Sequence, residues 1–265
     1  MFAYEFMRDA FIASTFIAIT AGIVGVFVVS RNMSFLTHTL SEIGFAGASF
    51  AILIGISPLI GMILFTLVSS IAVGGLSSES SRREASISSI SSLFIGLGIL
   101  FLSLSSESSS YATNILFGSI VGIDNSEVTQ LILLAVFVIL IFIIFYRKLS
   151  FDSFDHVGAK ASGLKTKSLS VIFLVTLALS VSIGAQVVGS LLVFVLLTLP
   201  GATAKYLVHS VPKLIMVSVG LSLAGVWLGL YLAFVTNWPV TFFISTFEVI
   251  AYFLGLGYKN WKLSH

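Results

Sequence analysis

About nine stretches of this sequence run close to the roughly 20 apolar residues that an α-helix needs to cross about 30 Å of hydrocarbon. They fall at residues 11–30, 35–54, 58–76, 87–104, 131–146, 169–184, 187–206, 214–236 and 240–256. The runs are continuous and do not alternate with period two, which selects helices over a β-barrel as the way to satisfy backbone polar groups in lipid. Composition agrees: 57% of the 265 residues are apolar and 9% charged, with a mean hydropathy of +1.12, beyond what a water-exposed surface carries. The expected fold is all-α, a polytopic membrane protein with eight or nine transmembrane helices in a single transmembrane domain over residues 1–265. The lower number applies if the 187–206 run only dips into the membrane. Residues 111–123, interrupted by Gly118 and Gly122, are too short to cross and read as a re-entrant or interfacial helix.

Basic residues fall in every second gap: Arg31, then Arg82 and Arg83, then the segment 147–167, then Lys205 and Lys213, then Lys259 and Lys262. The gaps between hold Pro58, then Glu107, Asp124 and Glu127, then Gln186, then Asn237, with no Lys or Arg. The positive-inside rule then predicts an outside N-terminus and a cytoplasmic C-terminus in a plasma membrane. Glu5, Arg8 and Asp9 ahead of the first run do not resemble a cleavable signal peptide, so that span is expected to stay. No GxxxxGK[ST] loop occurs, so the chain is not expected to hydrolyse nucleotide, and active transport would need a motor on another chain. No nucleic-acid partner is expected. The serine-rich patches near residues 76 and 103 read as loop ends and helix caps.

With no cysteine, a metal ion can be held only by His, carboxylate or other oxygen donors. Ionisable residues inside a span usually mark function. His38 and Glu42 stand four apart early in the second run, on one helical face, and together make half a site for Zn²⁺ or Mn²⁺. The bland alternative is a hydrogen bond that locks two helices. Gly44, Ala46, Gly47 and Ala48 behind them would let another helix approach closely. Glu248, in the last run, is a candidate pathway residue or a neutral acid in a helix interface. In the 147–167 segment Phe151, Phe154 and Val157 would form one apolar edge of a short helix, with Asp152, Asp155, His156 and Lys160 elsewhere. Composition alone leaves that segment as a solvated loop or a docking helix. His209 reads as interfacial, and His156 and His265 receive no role.

Several motifs resemble those of the metal-importing ABC transporter permeases, the membrane subunits of zinc and manganese uptake systems. The run from Gly25 through Val29, Arg31 and Met33 to Ser34 is similar to that family's entry to the second helix, where an Asp and a His then follow four apart. Here His38 and Glu42 supply imidazole and carboxylate in swapped order. LFGSI at 116–120 resembles the short segment before the family's fifth span. Phe151 and Asp152 followed by Ala161, Ser162 and Gly163 resemble its cytoplasmic coupling helix, with a few extra residues between. QVVGSLLVFVLLTLPGATAK at 186–205 is similar to the family signature, with Gly201 in place of a common Ala.

The resemblance implies a type II ABC importer-like permease that transports zinc, manganese or iron by alternating access and binds no permanent cofactor. It implies three protein partners: a second copy of itself, a cytoplasmic ABC ATPase dimer and an extracellular metal-binding lipoprotein. It assigns metal contact to His38 and Glu42, and coupling to the ATPase to Phe151, Asp152, Phe154, Asp155 and Gly163. Two rivals remain: an ion-coupled secondary transporter, and an ABC permease for a metal chelate.

Overall fold

The computed structural model describes residues 4–74, 80–105, 115–116, 118, 125–190 and 192–263, which form helices joined by short connections. In order the helices are α1 (Glu5–Ser30), α2 (Ser34–Leu53), α3 (Pro58–Gly74), α4 (Ser80–Leu104), α5 (Asn125–Phe154), α6 (His156–Ala161), α7 (Thr166–Val188), α8 (Val193–Leu207), α9 (Val211–Thr236) and α10 (Val240–Leu263). Each apolar run coincides with one of these helices, and the remaining one, α6, falls in the polar 147–167 segment. Among the described residues six helices are long and apolar enough to cross a membrane, while Pro58–Ala72 and Val193–Leu207 form shorter apolar helices.

Two expectations need correction. The break between the runs at 169–184 and 187–206 falls later than expected: α7 continues to Val188, Gly189 closes it at φ 92°, and α8 begins at Val193. A side chain at Gly189 would strain that left-handed turn, so glycine fixes the break. The serine-rich stretch before residue 92 is not a loop end either, because from Ser80 onward it forms the start of α4. Ser92 illustrates how such a helix is tolerated, its hydroxyl donating back to the Ser88 carbonyl at 3.0 Å. The short helix expected over 111–123 lies outside the described residues except for Ile115, Leu116 and Gly118.

The chain forms two compact units. One contains α1, α5 up to Ile144, α8 from Val195, α9 and α10. Within it α1 packs on α9 and α9 on α10. Ser218 donates to the Gly22 carbonyl at 2.8 Å, and Trp227 Nε1 donates to Thr15 Oγ1 at 3.0 Å. A Cβ on Gly201 would stand 2.8 Å from the Gly25 carbonyl, so α1 and α8 cross backbone to backbone. Along α10, Ile250, Phe253 and Leu254 are exposed, as expected of a lipid-facing side. Trp238 stands just ahead of α10 and Tyr258 and Trp261 in its last turns, all exposed. By helix rise these aromatic ends are about 30 Å apart, the thickness of the hydrocarbon they would bracket.

The other unit holds α2, α3, α4, the end of α5, α6 and α7. Here α2 packs against α3, α4 and α7. Its small-residue segment does bring helices close: a Cβ on Gly47 would collide with the Gly61 carbonyl of α3, and Gly98 of α4 seats Phe45 and Ala46. Thr66 of α3 and Ser182 of α7 share a 2.9 Å hydroxyl–hydroxyl hydrogen bond. The α7 span is 78% buried, against 17% for α4, so α7 is interior and α4 peripheral.

The Gly47–Gly61 crossing makes a direct prediction. Gly47→Val should destabilise the purified protein in detergent by roughly 1–3 kcal/mol, the usual cost of overpacking, seen as a lower Tm. An unchanged Tm would mean that α2 and α3 do not cross there.

Candidate functional site

One turn apart on α2, His38 and Glu42 face the same side, with His38 Nδ1 3.5 Å from Glu42 Oε1. The imidazole meets the Phe194 ring edge-on, centroids 4.8 Å apart. Glu42 is the more enclosed of the two, with its side chain 15% exposed against 38% for His38. Its second carboxylate oxygen accepts a hydrogen bond from the Ser91 hydroxyl of α4. The acid is thus held by an imidazole on one side and a hydroxyl on the other.

Glu42 lines a cavity of about 140 Å³ together with Phe45, Ile95, Ile99, Leu116 and Ser190. Phe45, Ile95, Ile99 and Leu116 make most of its wall apolar, and Glu42 is the one charged side chain on it. Among the described residues no three of His, Asp and Glu come together as a metal-binding group. An ion beside Glu42 would therefore draw its remaining ligands from hydroxyl, carbonyl or water oxygens, or from another chain.

Glu248, in the other unit, has no exposed surface, and neither carboxylate oxygen has a hydrogen-bond partner among the described residues. Gly225 of α9 provides its space, since a Cβ there would lie 2.8 Å from Glu248 Oε1.

In the 147–167 segment the three apolar residues expected on one short helix are divided between two. Phe151 and Phe154 end α5 and Val157 begins α6, and all three are exposed. Its acidic residues are less uniform than the spacing suggests. Asp152 is buried, not displayed on a polar face, and hydrogen-bonds to His156 Nδ1 at 2.9 Å. Asp155 is the N-cap of α6, accepting from the Gly158 amide at 2.8 Å, and Gly163 turns the chain at φ 81° after that helix. Asp152, Asp155 and Gly163 thus shape the segment, while the two phenylalanines and Val157 are what it presents.

Two residues escaped the sequence reading. Ser91 sat in a serine-rich patch whose composition hides helical periodicity, although Ile87 and Ser91, four apart, are both buried. Ser190 falls in the turn after α7, near the start of the 187–206 run. The spacing of Asp152 and His156 was visible as an i, i+4 pair, but nothing in the sequence marked the acid as buried. His209 is exposed between α8 and α9 and joins no site.

An all-helical polytopic chain with a polar helix buried beside a small cavity and an apolar knob on a polar loop has the makings of a membrane transport subunit. The chain belongs to the ABC 3 transport family, which it matches over residues 3–259, and it is a permease of the ABC class. It is 30% identical over 235 residues to the manganese transport system membrane protein MntC of Listeria innocua, covering 88% of this chain and 84% of that protein. It is likewise 30% identical over 235 residues to the manganese import system permease protein ScaB of Streptococcus gordonii, with the same coverage of 88% and 84%. The solved structure of PsaBC from Streptococcus pneumoniae in complex with Fab superposes with a TM-score of 0.87 at 27% identity, covering 95% of this chain and 91% of that one.

The N-cap bond predicts that Asp155→Ala costs about 1 kcal/mol locally. Hydrogen exchange should quicken across residues 156–163 with the global Tm little changed. Unchanged protection there would remove the cap from the account.

Proposed function

We propose that this permease imports a divalent metal ion, manganese foremost, through the cavity beside Glu42, driven by a separate ABC ATPase. The observation that carries the reading is the Glu42 carboxylate, anchored by Ser91 and His38 at the wall of a small cavity. The manganese proteins among the relatives support the choice of cargo. Zinc remains compatible with an imidazole and a carboxylate, since intrinsic affinities follow the Irving–Williams order. A metal chelate fits the site less well, because drug-sized ligands occupy pockets of roughly 300 Å³ or more. Ion-coupled secondary transport loses its support with the ABC family membership.

Weak binding is part of this function. A site that held its ion with the ~10 kcal/mol or more of structural zinc would release it too slowly for turnover, so a few neutral ligands around one carboxylate suit a passage better than a closed cage. The assembly is a second copy of this chain, a cytoplasmic ATPase dimer and an extracellular metal-binding lipoprotein, with the N-terminus outside and the C-terminus in the cytoplasm. The exposed Phe151, Phe154 and Val157 dock on the ATPase, and Asp152, Asp155 and Gly163 hold the docking segment in shape. Glu248, buried with no hydrogen-bond partner among the described residues, is the pathway residue of its own unit.

Two experiments test this reading. In cells, Glu42→Gln should lower manganese uptake at least tenfold at normal membrane abundance, and His38→Ala should lower it by a smaller factor; wild-type uptake in both would remove the pair from the pathway. Phe154→Asp should abolish co-purification of the ATPase and uptake together while leaving the permease folded. Retained ATPase binding would place the docking surface elsewhere.

A further inference from the structure

Residues 195–265 hold four lysines, Lys205, Lys213, Lys259 and Lys262, and one acid, Glu248. That acid has no exposed surface, so no carboxylate of this stretch is at hand for its lysines. Lys205 stands in the last turn of α8, and Lys259 and Lys262 in the last two turns of α10. The two helices meet just before, at Gly255, where a Cβ would lie 3.1 Å from Thr203 Cγ2. Next to that contact Tyr206 and Tyr252 share a hydroxyl–hydroxyl hydrogen bond of 2.9 Å. Lys259 Nζ lies 5.2 Å from the Tyr206 ring centroid, a cation–π distance. The ring holds the ammonium in place and leaves its three N–H donors available, while the two phenols have two O–H protons and spend one on each other. An ammonium and a spare phenolic O–H are thus held close together where two helices end.

We propose that this end of α8 and α10 binds the phosphate of an anionic phospholipid, through Lys259 and the Tyr206–Tyr252 pair. The level is right for a headgroup. Tyr258 and Trp261, both exposed, form the aromatic end of α10 that brackets the hydrocarbon, and Lys259 is the next residue after Tyr258. The side is right as well: the exposed Phe253 and Leu254 offer a surface for acyl chains that runs up to the basic end of the same helix. That continuity selects a lipid over an acidic protein, which would need the apolar flank covered too. In the orientation proposed above this end meets the cytoplasmic leaflet, whose anionic lipids collect in basic pockets between helices. Lys262 lies in the last turn, where the carbonyl end of the helix already favours a cation. Lys259, one turn earlier and laid over a ring, is the residue that marks a site. The site stands apart from the Glu42 cavity and holds whichever route the ion takes.

The test is native mass spectrometry of the whole permease in detergent, titrated with phosphatidylglycerol or phosphatidylcholine. Wild type should retain phosphatidylglycerol more tightly than phosphatidylcholine. Lys259→Gln should weaken phosphatidylglycerol alone by about fivefold, the scale of one basic residue at an anionic membrane surface. The double variant Tyr206→Phe, Tyr252→Phe keeps both rings and removes both hydroxyls, and it should weaken phosphatidylglycerol as well. Lys167→Gln makes the same charge change on an exposed lysine at the start of α7 and should leave the affinity unchanged. Lys259 is exposed, so its variant should keep the wild-type Tm in detergent and the loss is not one of folding. The inference is overturned if wild type holds both lipids equally, or if Lys259→Gln and Lys167→Gln lose affinity alike, which would mark a general attraction to basic residues. It is overturned too if Lys259→Gln keeps its phosphatidylglycerol and instead loses the ATPase on co-purification, which would make this end a protein-docking surface.

Discussion

A helix carrying an imidazole and a carboxylate in its first half cannot turn that half toward lipid, and this constraint organises the unit built on α2. In twenty residues α2 bears His38, Glu42, two threonines and three serines. Most of its hydroxyls are neutralised locally: Thr37, Thr39 and Ser49 donate to the carbonyls of Met33, Phe35 and Phe45, so they cost the packing little. Glu42 cannot be neutralised that way, and it reaches across to Ser91 of α4. The glycines follow from the same need. Gly47 and Gly61 let α3 close directly on α2, and Gly98 lets α4 do so beside Phe45, which wraps the polar helix in protein. The small-residue segment is thus the condition for burying the acid next to it.

The segment between α5 and α7 solves a different problem, presenting apolar side chains to water without letting the backbone collapse onto them. Its acids do this work from inside. Asp152, buried and hydrogen-bonded to His156, ties the end of α5 to the start of α6, and Asp155 caps α6. Six residues make a marginal helix in isolation, so those two side chains and the Gly163 turn define its shape. What remains outside is Phe151, Phe154 and Val157, exposed apolar side chains at the end of α5 and the start of α6.

Much of this was legible in the residues, and for a physical reason. Lipid enforces a simple rule on composition, so every apolar run corresponds to a helix, within a few residues at most ends. The rule is less sharp where the determinant is a single backbone angle: nothing in VVGSLLVF marks Gly189 as the place where one helix stops, because glycine is compatible with helix and turn alike. The site was half legible. His38 and Glu42 stood out as charges in an apolar context, whereas Ser91 and Ser190 did not, since serine is ordinary in sequence and acquires meaning only from the carboxylate or cavity it meets. Asp152 misled in the opposite direction: a charge in a polar loop reads as solvated, and here it is buried.

The central claim, that a dication passes beside Glu42 inside the α2 unit, is most directly tested by locating the ion. Crystals of the assembled importer soaked in Mn²⁺ and measured at the manganese absorption edge should give an anomalous difference peak in the cavity lined by Glu42 and Ser190, at coordination distance from the carboxylate. A well-occupied peak elsewhere in the membrane region, with that cavity lacking anomalous density, would contradict it.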